Sequence, residues 1–424
     1  MFYTLYLIIT STIYFIFIPF LKLFNLDGFK ERKGKIEIEN KDIWIHAASL
    51  GEVLAAEAII KALNKLKGIS FDRIAISTMT PKGKNLAKKI FEDQIQVFFV
   101  PIDFYFPVAR AIKKLKPKIL ILIETEIWPL LITESYNNNI PVLLLNGRVS
   151  KKSFLKYYKI KFLLKPILKK LHKLYMVSEE YKKRIIELGA ELYDVHVLGN
   201  IKYGLLKEKT ENKKDIDYFK LFNISDDKKV IVCGSLHKNE ENIIIDTYVS
   251  VKSIIKESIL IIAPRYIEEL TDIKRKLTEK GLSYKLRTEN IKEDEFPEVI
   301  IIDTYGELFY IYEIATIAVC GGSFIPDEGG HNPMEPAAWG KPVLYGPSMD
   351  DFEDAKNMLE KIGGGITVKN KEDLAYRLID LLSDKESLAF HGDQARKTVE
   401  MLSESSEKYA DVIFDILQKN NESE

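Results

Sequence analysis

Trp44-Ile45-His46-Ala47-Ala48-Ser49-Leu50-Gly51-Glu52 is an apolar run that ends in small residues and passes straight into a helical pattern over 53–66. A buried strand feeding a helix is the unit of a parallel α/β sheet. The same unit recurs on both sides of it. Strand-like apolar runs lie at 43–47, 74–78, 97–100, 119–123, 142–145, 174–177 and 195–198, with amphipathic stretches such as 179–188 between them. Residues 204–228 are polar, with alternating charge. A second series occupies 230–233, 260–263, 299–302, 317–320, 342–345 and 365–368, and residues 388–418 read as helix. Short buried strands alternating with helices predict doubly wound, mostly parallel sheets. Two such domains leave a cleft, and ligands of open α/β sheets sit beyond the carboxyl ends of the strands.

The composition agrees with two folded domains. The chain has 424 residues, 46% apolar and 29% charged, with 62 Lys+Arg against 62 Asp+Glu. Disordered and fibrous classes are excluded, and zero net charge argues against a protein that blankets nucleic acid. Cys233 and Cys320 each lie inside an apolar run, as small buried residues of a reducing compartment do. The cations are 52 Lys and 10 Arg, so a single arginine near an anion-friendly motif is the more informative.

Residues 1–21 carry no charge and precede Lys22, Lys30, Arg32, Lys33 and Lys35. A membrane-spanning helix needs about 20 mostly apolar residues, and positive charge after the run places the rest of the chain in the cytoplasm. The expectation is a single N-terminal anchor in the inner membrane over 1–21, an acceptor-binding domain over 22–205, a linker over 206–228 and a donor-binding domain over 229–424. Residues 151–173 contain nine lysines and no acid, interleaved with Phe154, Leu155, Tyr157, Tyr158, Ile160 and Phe162. That stretch is either a solvated helix packing one face on its domain or a patch resting on an anionic lipid surface.

Absent motifs narrow the chemistry. There is no Gly-x-x-x-x-Gly-Lys-Ser/Thr, no Gly-x-Gly-x-x-Gly after a strand, no His-Glu-x-x-His and no Gly-x-Ser-x-Gly. The six histidines show no metal-ligand spacing, so carboxylates, isolated cations and backbone amides are expected to carry the chemistry without metal or cofactor. Ser49 and Glu52 are spaced as a capping box. Yet Glu52 also stands where cleft chemistry is done and could take a proton from a hydroxyl; spacing alone leaves both open. In Ile121-Leu-Ile-Glu124-Thr-Glu126-Ile-Trp-Pro129, alternation puts Glu124 and Glu126 on one side of a strand end, where like charges would push one pKa up. One of the two could instead bond amides of the next loop. Asn146-Gly-Arg148 and Gly199-Asn-Ile-Lys202 add cations at the same edge.

In the second half, Cys320-Gly-Gly-Ser323 ends a strand, and Gly329-Gly-His-Asn332-Pro333-Met334-Glu335-Pro-Ala-Ala338 comes soon after. Asn332 reads as an N-cap and Pro333 as a first helical residue, giving a seat for phosphate at a helix start. Glu335 suits ribose hydroxyls. Ala263-Pro264-Arg265 and Asp303-Thr-Tyr305-Gly306-Glu307 end two more strands. Together they describe a wall for a nucleoside monophosphate.

These motifs, with Thr78-Met-Thr-Pro81, resemble those of the Kdo (3-deoxy-D-manno-octulosonic acid) transferases of Gram-negative bacteria, membrane-anchored glycosyltransferases of the GT-B fold. The resemblance runs nearly end to end. It implies two Rossmann-like domains facing across a cleft, CMP-Kdo as donor, a lipid A precursor (lipid IVA) as acceptor and CMP as product, with no nucleic acid partner. It maps the proton acceptor onto Glu52 and transition-state support onto Glu124 and Lys202. CMP contacts map onto Pro264, Arg265, Tyr305, Gly306, Glu307, Asn332, Pro333, Met334 and Glu335. The chain departs from the family at Tyr266-Ile267, where His-Pro is frequent, and at Leu50, where Val is common. The alternative reading is a GT-B transferase using a UDP-sugar for another lipid acceptor.

Overall fold

The computed structural model describes residues 12, 14, 27–38, 40–213, 215–292, 294–403 and 405–422. The chain divides into two compact units, one of residues 1–202 with 404–424 and the other of residues 203–403.

The first unit holds seven strands, β1 (Ile43–His46), β2 (Ile74–Thr78), β3 (Gln96–Phe99), β4 (Ile119–Ile123), β5 (Val142–Gly147), β6 (Lys173–Met176) and β7 (Val195–Val197). They lie in the order β3-β2-β1-β4-β5-β6-β7, and every pairing is parallel. Ile43 is matched to Ile74 on one side and Ile119 on the other. Helices cover both faces, which is why β1 and β4 are buried at every position.

The second unit repeats the design with β8 (Lys229–Leu236), β9 (Ser258–Pro264), β10 (Tyr284–Leu286), β11 (Val299–Ile301), β12 (Ile317–Cys320), β13 (Val343–Tyr345) and β14 (Gly365–Thr367). Their order is β10-β11-β9-β8-β12-β13-β14, again parallel throughout. Cys233 and Cys320 are free and buried in this sheet. The polar stretch expected as a linker includes the helix Tyr218–Leu221, whose Tyr218 joins Phe222 and Ile224 in the core beside β8, β9 and β11.

The final helix, Ser405–Glu422, belongs to the first unit and packs on Leu50–Lys67. Tyr409 is completely buried there. Its hydroxyl donates to the Gly199 carbonyl at 3.0 Å and accepts from the Asn146 amide at 3.3 Å.

The expected N-terminal anchor and the inner-membrane placement built on it are corrected: among the described residues no helix is long and apolar enough to cross a membrane. Residues 1–21 lie outside the described residues apart from Thr12 and Tyr14. Tyr14 is buried with its ring 5.5 Å from Phe104 and 6.2 Å from Phe106, so this side chain covers protein.

Candidate functional site

In the first unit the strand order reverses between β1 and β4, the place where a doubly wound sheet opens a crevice. His46 ends β1, and Ser49 caps the helix Leu50–Lys67. Glu52 lies in its first turn with 7% of its surface exposed. One carboxylate oxygen accepts from the Ser49 hydroxyl and the other from the Ala48 amide, both at 2.7 Å. The Ser49 side chain makes no bond to the helix amides. Serine therefore serves the glutamate, and the glutamate takes the amide before the cap residue rather than that of Ser49, so neither reciprocal bond of a capping box forms. Burial raises the Glu52 pKa, the two hydrogen bonds oppose it, and the charges of Glu126 and Glu124 add to the rise.

Glu124 and Glu126 part company, contrary to strand alternation. Glu124 has φ of +60°, so the strand pattern has already ended. It turns to Lys202, whose ammonium is 2.5 Å away. Glu126 instead accepts from the Trp128 indole at 2.7 Å and lies 3.7 Å from His46 Nε2. Burial pushes its pKa up, but His46 and Trp128 outweigh that and hold it below the usual carboxylate value. A raised carboxyl group is found one loop away, at Glu52. Gly51 makes room for Lys202: a Cβ there would stand 3.1 Å from the ammonium.

Asp103, which no sequence motif marks, accepts from the amides of Leu130 and Leu131 at 3.1 and 2.8 Å and so caps the helix Pro129–Asn137 from another loop. Burial lifts its pKa to about 6. Only its place after β3 hinted at a role. Asn146, with φ of +56° and fully buried, accepts from the Ile201 amide at 3.1 Å and fixes the start of the Lys202 helix. The Arg148 amide donates to Thr125 Oγ1 at 3.1 Å, which ties β5's exit to the Glu124–Glu126 loop.

The lysine-rich stretch forms two helices, Lys151–Lys159 and Lys161–Leu168. Leu164 and Leu168 belong to the core, and the half-buried Phe154, Tyr157 and Ile167 pack against it, as Ile127 and Trp128 do. Leu155, Tyr158, Phe162 and Leu163 face solvent, Phe162 at 72% exposure. One side packs on the domain, as one of the two expectations had it, and the other leaves apolar side chains exposed among lysines.

In the second unit the order reverses between β8 and β12. Arg265 directly succeeds β9, with an exposed guanidinium. Glu307 accepts from Arg287 at 3.0 Å, from Tyr218 at 3.4 Å and from Thr304. Burial pushes its pKa up, but Thr304 and Arg287 outweigh it and leave the value low. Gly306 has φ of +83° with open space where a side chain would stand, beside the exposed Tyr305. The helix after Asn332 is one short turn, Met334–Ala338. Asn332 Oδ1 accepts from the Met334 amide at 3.1 Å. Met334 is wholly buried with Tyr203, Phe309 and Cys320, so its side chain is core. Burial raises the Glu335 pKa against the pull of Lys209, Asn332 and Arg265.

A further residue missed from sequence is Glu240, fully buried. It accepts from the amides of His237, Gly322 and Phe324 at 2.9, 2.7 and 3.0 Å, clamping the loops after β8 and β12. No local pattern announces a contact between segments so far apart in sequence. Among the described residues no group of three or more His, Cys, Asp or Glu could hold a metal ion.

Comparison with known proteins agrees with this layout. The family described as 3-deoxy-D-manno-octulosonic-acid transferase (kdotransferase) matches residues 27–205. The chain is 30% identical over 379 residues to the 3-deoxy-D-manno-octulosonic acid transferase of Haemophilus influenzae, covering 89% of this chain and 88% of that protein. It is 35% identical over 349 residues to a bifunctional glycosyltransferase/methyltransferase of Fusobacterium nucleatum, covering 81% of this chain but 53% of that protein, so it spans about half of that relative. The solved UDP-GlcNAc 2-epimerase from Neisseria meningitidis superposes with a TM-score of 0.61 at 14% identity, over 89% of this chain and 99% of that one, which shows a shared fold alone. With two parallel α/β units of GT-B type and relatives of this identity and coverage, the chain belongs to the 3-deoxy-D-manno-octulosonic acid transferase family of nucleotide-sugar-dependent glycosyltransferases.

Proposed function

We propose that the chain transfers Kdo from CMP-Kdo to a lipid A precursor, lipid IVA, by a single inverting displacement that releases CMP. The observation that carries this reading is Glu52: a recessed carboxylate at the β1–β4 reversal, oriented by Ser49 and Ala48 and raised in pKa, with a cation–carboxylate pair close by. Glu52 takes the proton of the attacking sugar hydroxyl as the new C–O bond forms at the ketose carbon. The C–O bond to CMP breaks in the same step, and its electron pair leaves on the phosphate. Glu124 supports the positive charge that builds on the sugar ring, while Lys202 orients Glu124 and faces the sugar carboxylate.

In the second unit Arg265 counters the charge of CMP, the Tyr305–Glu307 loop and the Asn332–Glu335 turn line the nucleotide, and Glu335 accepts from ribose hydroxyls. Pro264 fixes the exit of β9 toward Arg265. A departing nucleoside monophosphate carries less charge than a diphosphate, so transfer is expected to survive EDTA; abolition by EDTA with rescue by Mg²⁺ would contradict it. The exposed Leu155, Tyr158 and Phe162 among lysines suit an acceptor with acyl chains and phosphates.

Mass spectrometry of products from lipid IVA and CMP-Kdo tests the whole reading. A mass gain of Kdo residues with stoichiometric CMP is expected. Transfer from a UDP-sugar instead, or CMP that fails to compete with donor, would overturn it.

A further inference from the structure

The reversal point of the second sheet holds a cluster to which the proposed donor contacts assign no task. β8 ends at Leu236, so His237 is the first residue past the sheet there, and Gly321 to Phe324 are the first past β12. Glu240 holds both loops by their amides. On this base His237 Nε2 stands 2.7 Å from His331 Nε2, with the rings stacked at 4.9 Å and 28°. Two imidazole nitrogens this close share one proton, because two lone pairs repel and two N–H groups collide.

The surroundings disfavour charge on His331 before any ligand arrives. Burial first, then the charges of Arg265 and His237, hold His331 at a pKa of about 4. Glu328 takes the outer nitrogen of His237, with Nδ1 to oxygen at 3.2 Å. Tyr266 presents its ring edge-on to His237 at 5.9 Å. Glu240 lies behind through the His237 amide, and Glu269 takes the next amide, that of Lys238. Gly322, with φ of +68°, lies under both rings: a Cβ would stand 3.1 Å from His331 and 3.3 Å from His237. Any side chain there would push the rings apart. Arg265 is exposed and its charge also acts on the Glu335 carboxyl, with no ion pair between the two among the described residues, so an anion still meets a counter-charge there.

We infer that the His237–His331 pair is an oxyanion-binding element of the donor site, which takes up one proton from solvent as the anion settles on Arg265. The inference rests on the proposed donor site and adds residues and a proton to it. An incoming oxyanion cancels the charge of Arg265 and supplies negative potential, and both changes favour a second positive charge. The added proton costs no internal hydrogen bond, since the shared proton can shift across the 2.7 Å contact while the new one occupies an outer nitrogen. No bond in the ligand breaks. The oxyanion is either the nucleotide phosphate or the sugar-acid carboxylate.

Linkage fixes the sign. A ligand that binds the protonated pair more tightly gains affinity as pH falls, by up to about tenfold per pH unit for one proton. The second phosphate ionisation near pH 6 bounds the useful window from below.

The test is titration calorimetry of the full chain with CMP at pH 7.5 in two buffers of different ionisation enthalpy, and Kd across pH 6.5–8.5. Free Kdo, which carries only the carboxylate, forms the second arm. The wild type is expected to take up a substantial fraction of a proton with one of the two ligands, which identifies the oxyanion. His331→Gln and His237→Gln should bind with little uptake and a flatter pH profile, their folding checked by circular dichroism. CMP binding without uptake, or equal uptake in wild type and variants, would overturn the pair's role and leave the donor reading intact. A wild-type chain that binds neither CMP nor Kdo fails earlier, at the donor reading, and the pair's role falls with it.

Discussion

Glu52 is tuned by its neighbours, and the tuning is measurable one residue at a time. Removing a general base typically costs 10²–10⁴ in rate, so Glu52→Gln should lower kcat by about that factor while CMP still binds; near-normal turnover would return Glu52 to a helix-start role. The base works ionised, so kcat/KM should fall on the acid side through a pKa above that of an ordinary carboxylate, because burial and then Glu126 and Glu124 raise it. Glu126→Gln removes one raising charge, and the acid limb should move to lower pH. An upward shift, or none, would show that Glu126 does not act on Glu52 through its charge. Gly51→Ala tests Lys202 without touching it: the new methyl would stand 3.1 Å from the ammonium. We expect a loss of about tenfold in kcat, within the cost of a small misplacement, with Lys202→Arg giving no rescue because the guanidinium is larger.

At the scale of elements, the two sheets were legible because both faces of each are covered, which forces unbroken apolar strands such as Ile119–Ile123 and Ile317–Cys320. The edge strand Tyr284–Leu286 was not: it is half-buried at every position, and its Lys285 breaks the apolar run. The same logic separates the site residues. Glu52 and Lys202 were legible as groups just past strand ends, whereas the pairing of Glu124 with Lys202 depends on a backbone turn at φ of +60° that no alternation rule anticipates. Glu240 was illegible because its three amide partners come from two distant loops. Its importance is open to test. Each buried amide left unsatisfied costs about 1–3 kcal/mol, so Glu240→Ala should loosen the Gly321–Phe324 loop and weaken CMP binding by tenfold or more. Glu240→Gln keeps one acceptor oxygen and should lose less. Equal, wild-type-like binding by both would show that the loop is held without it.

At the scale of the whole molecule, the helix Ser405–Glu422 joins the unit built from the first half of the sequence. Having built the second unit, the chain returns this last helix to the first, and Tyr409 fills the space beneath the site-bearing loops. Burial pushes the Tyr409 pKa well up, so the hydroxyl stays protonated and donates to Gly199 while accepting from Asn146. Asn146 in turn holds the Ile201 amide next to Lys202. Removing the hydroxyl alone, Tyr409→Phe, should cost about 1–2 kcal/mol, one or two modest hydrogen bonds. Tyr409→Ala also opens a cavity and should cost about 3–5 kcal/mol. Because Tyr409 belongs to the first unit, amide exchange should quicken in β5 and β7 while the β8–β12 amides keep their protection. Transfer should fall in the same order, Phe less than Ala, with CMP affinity unchanged in both. If CMP binding instead fell in step with transfer, the last helix would be supporting the donor site rather than the loops that carry Asn146 and Lys202.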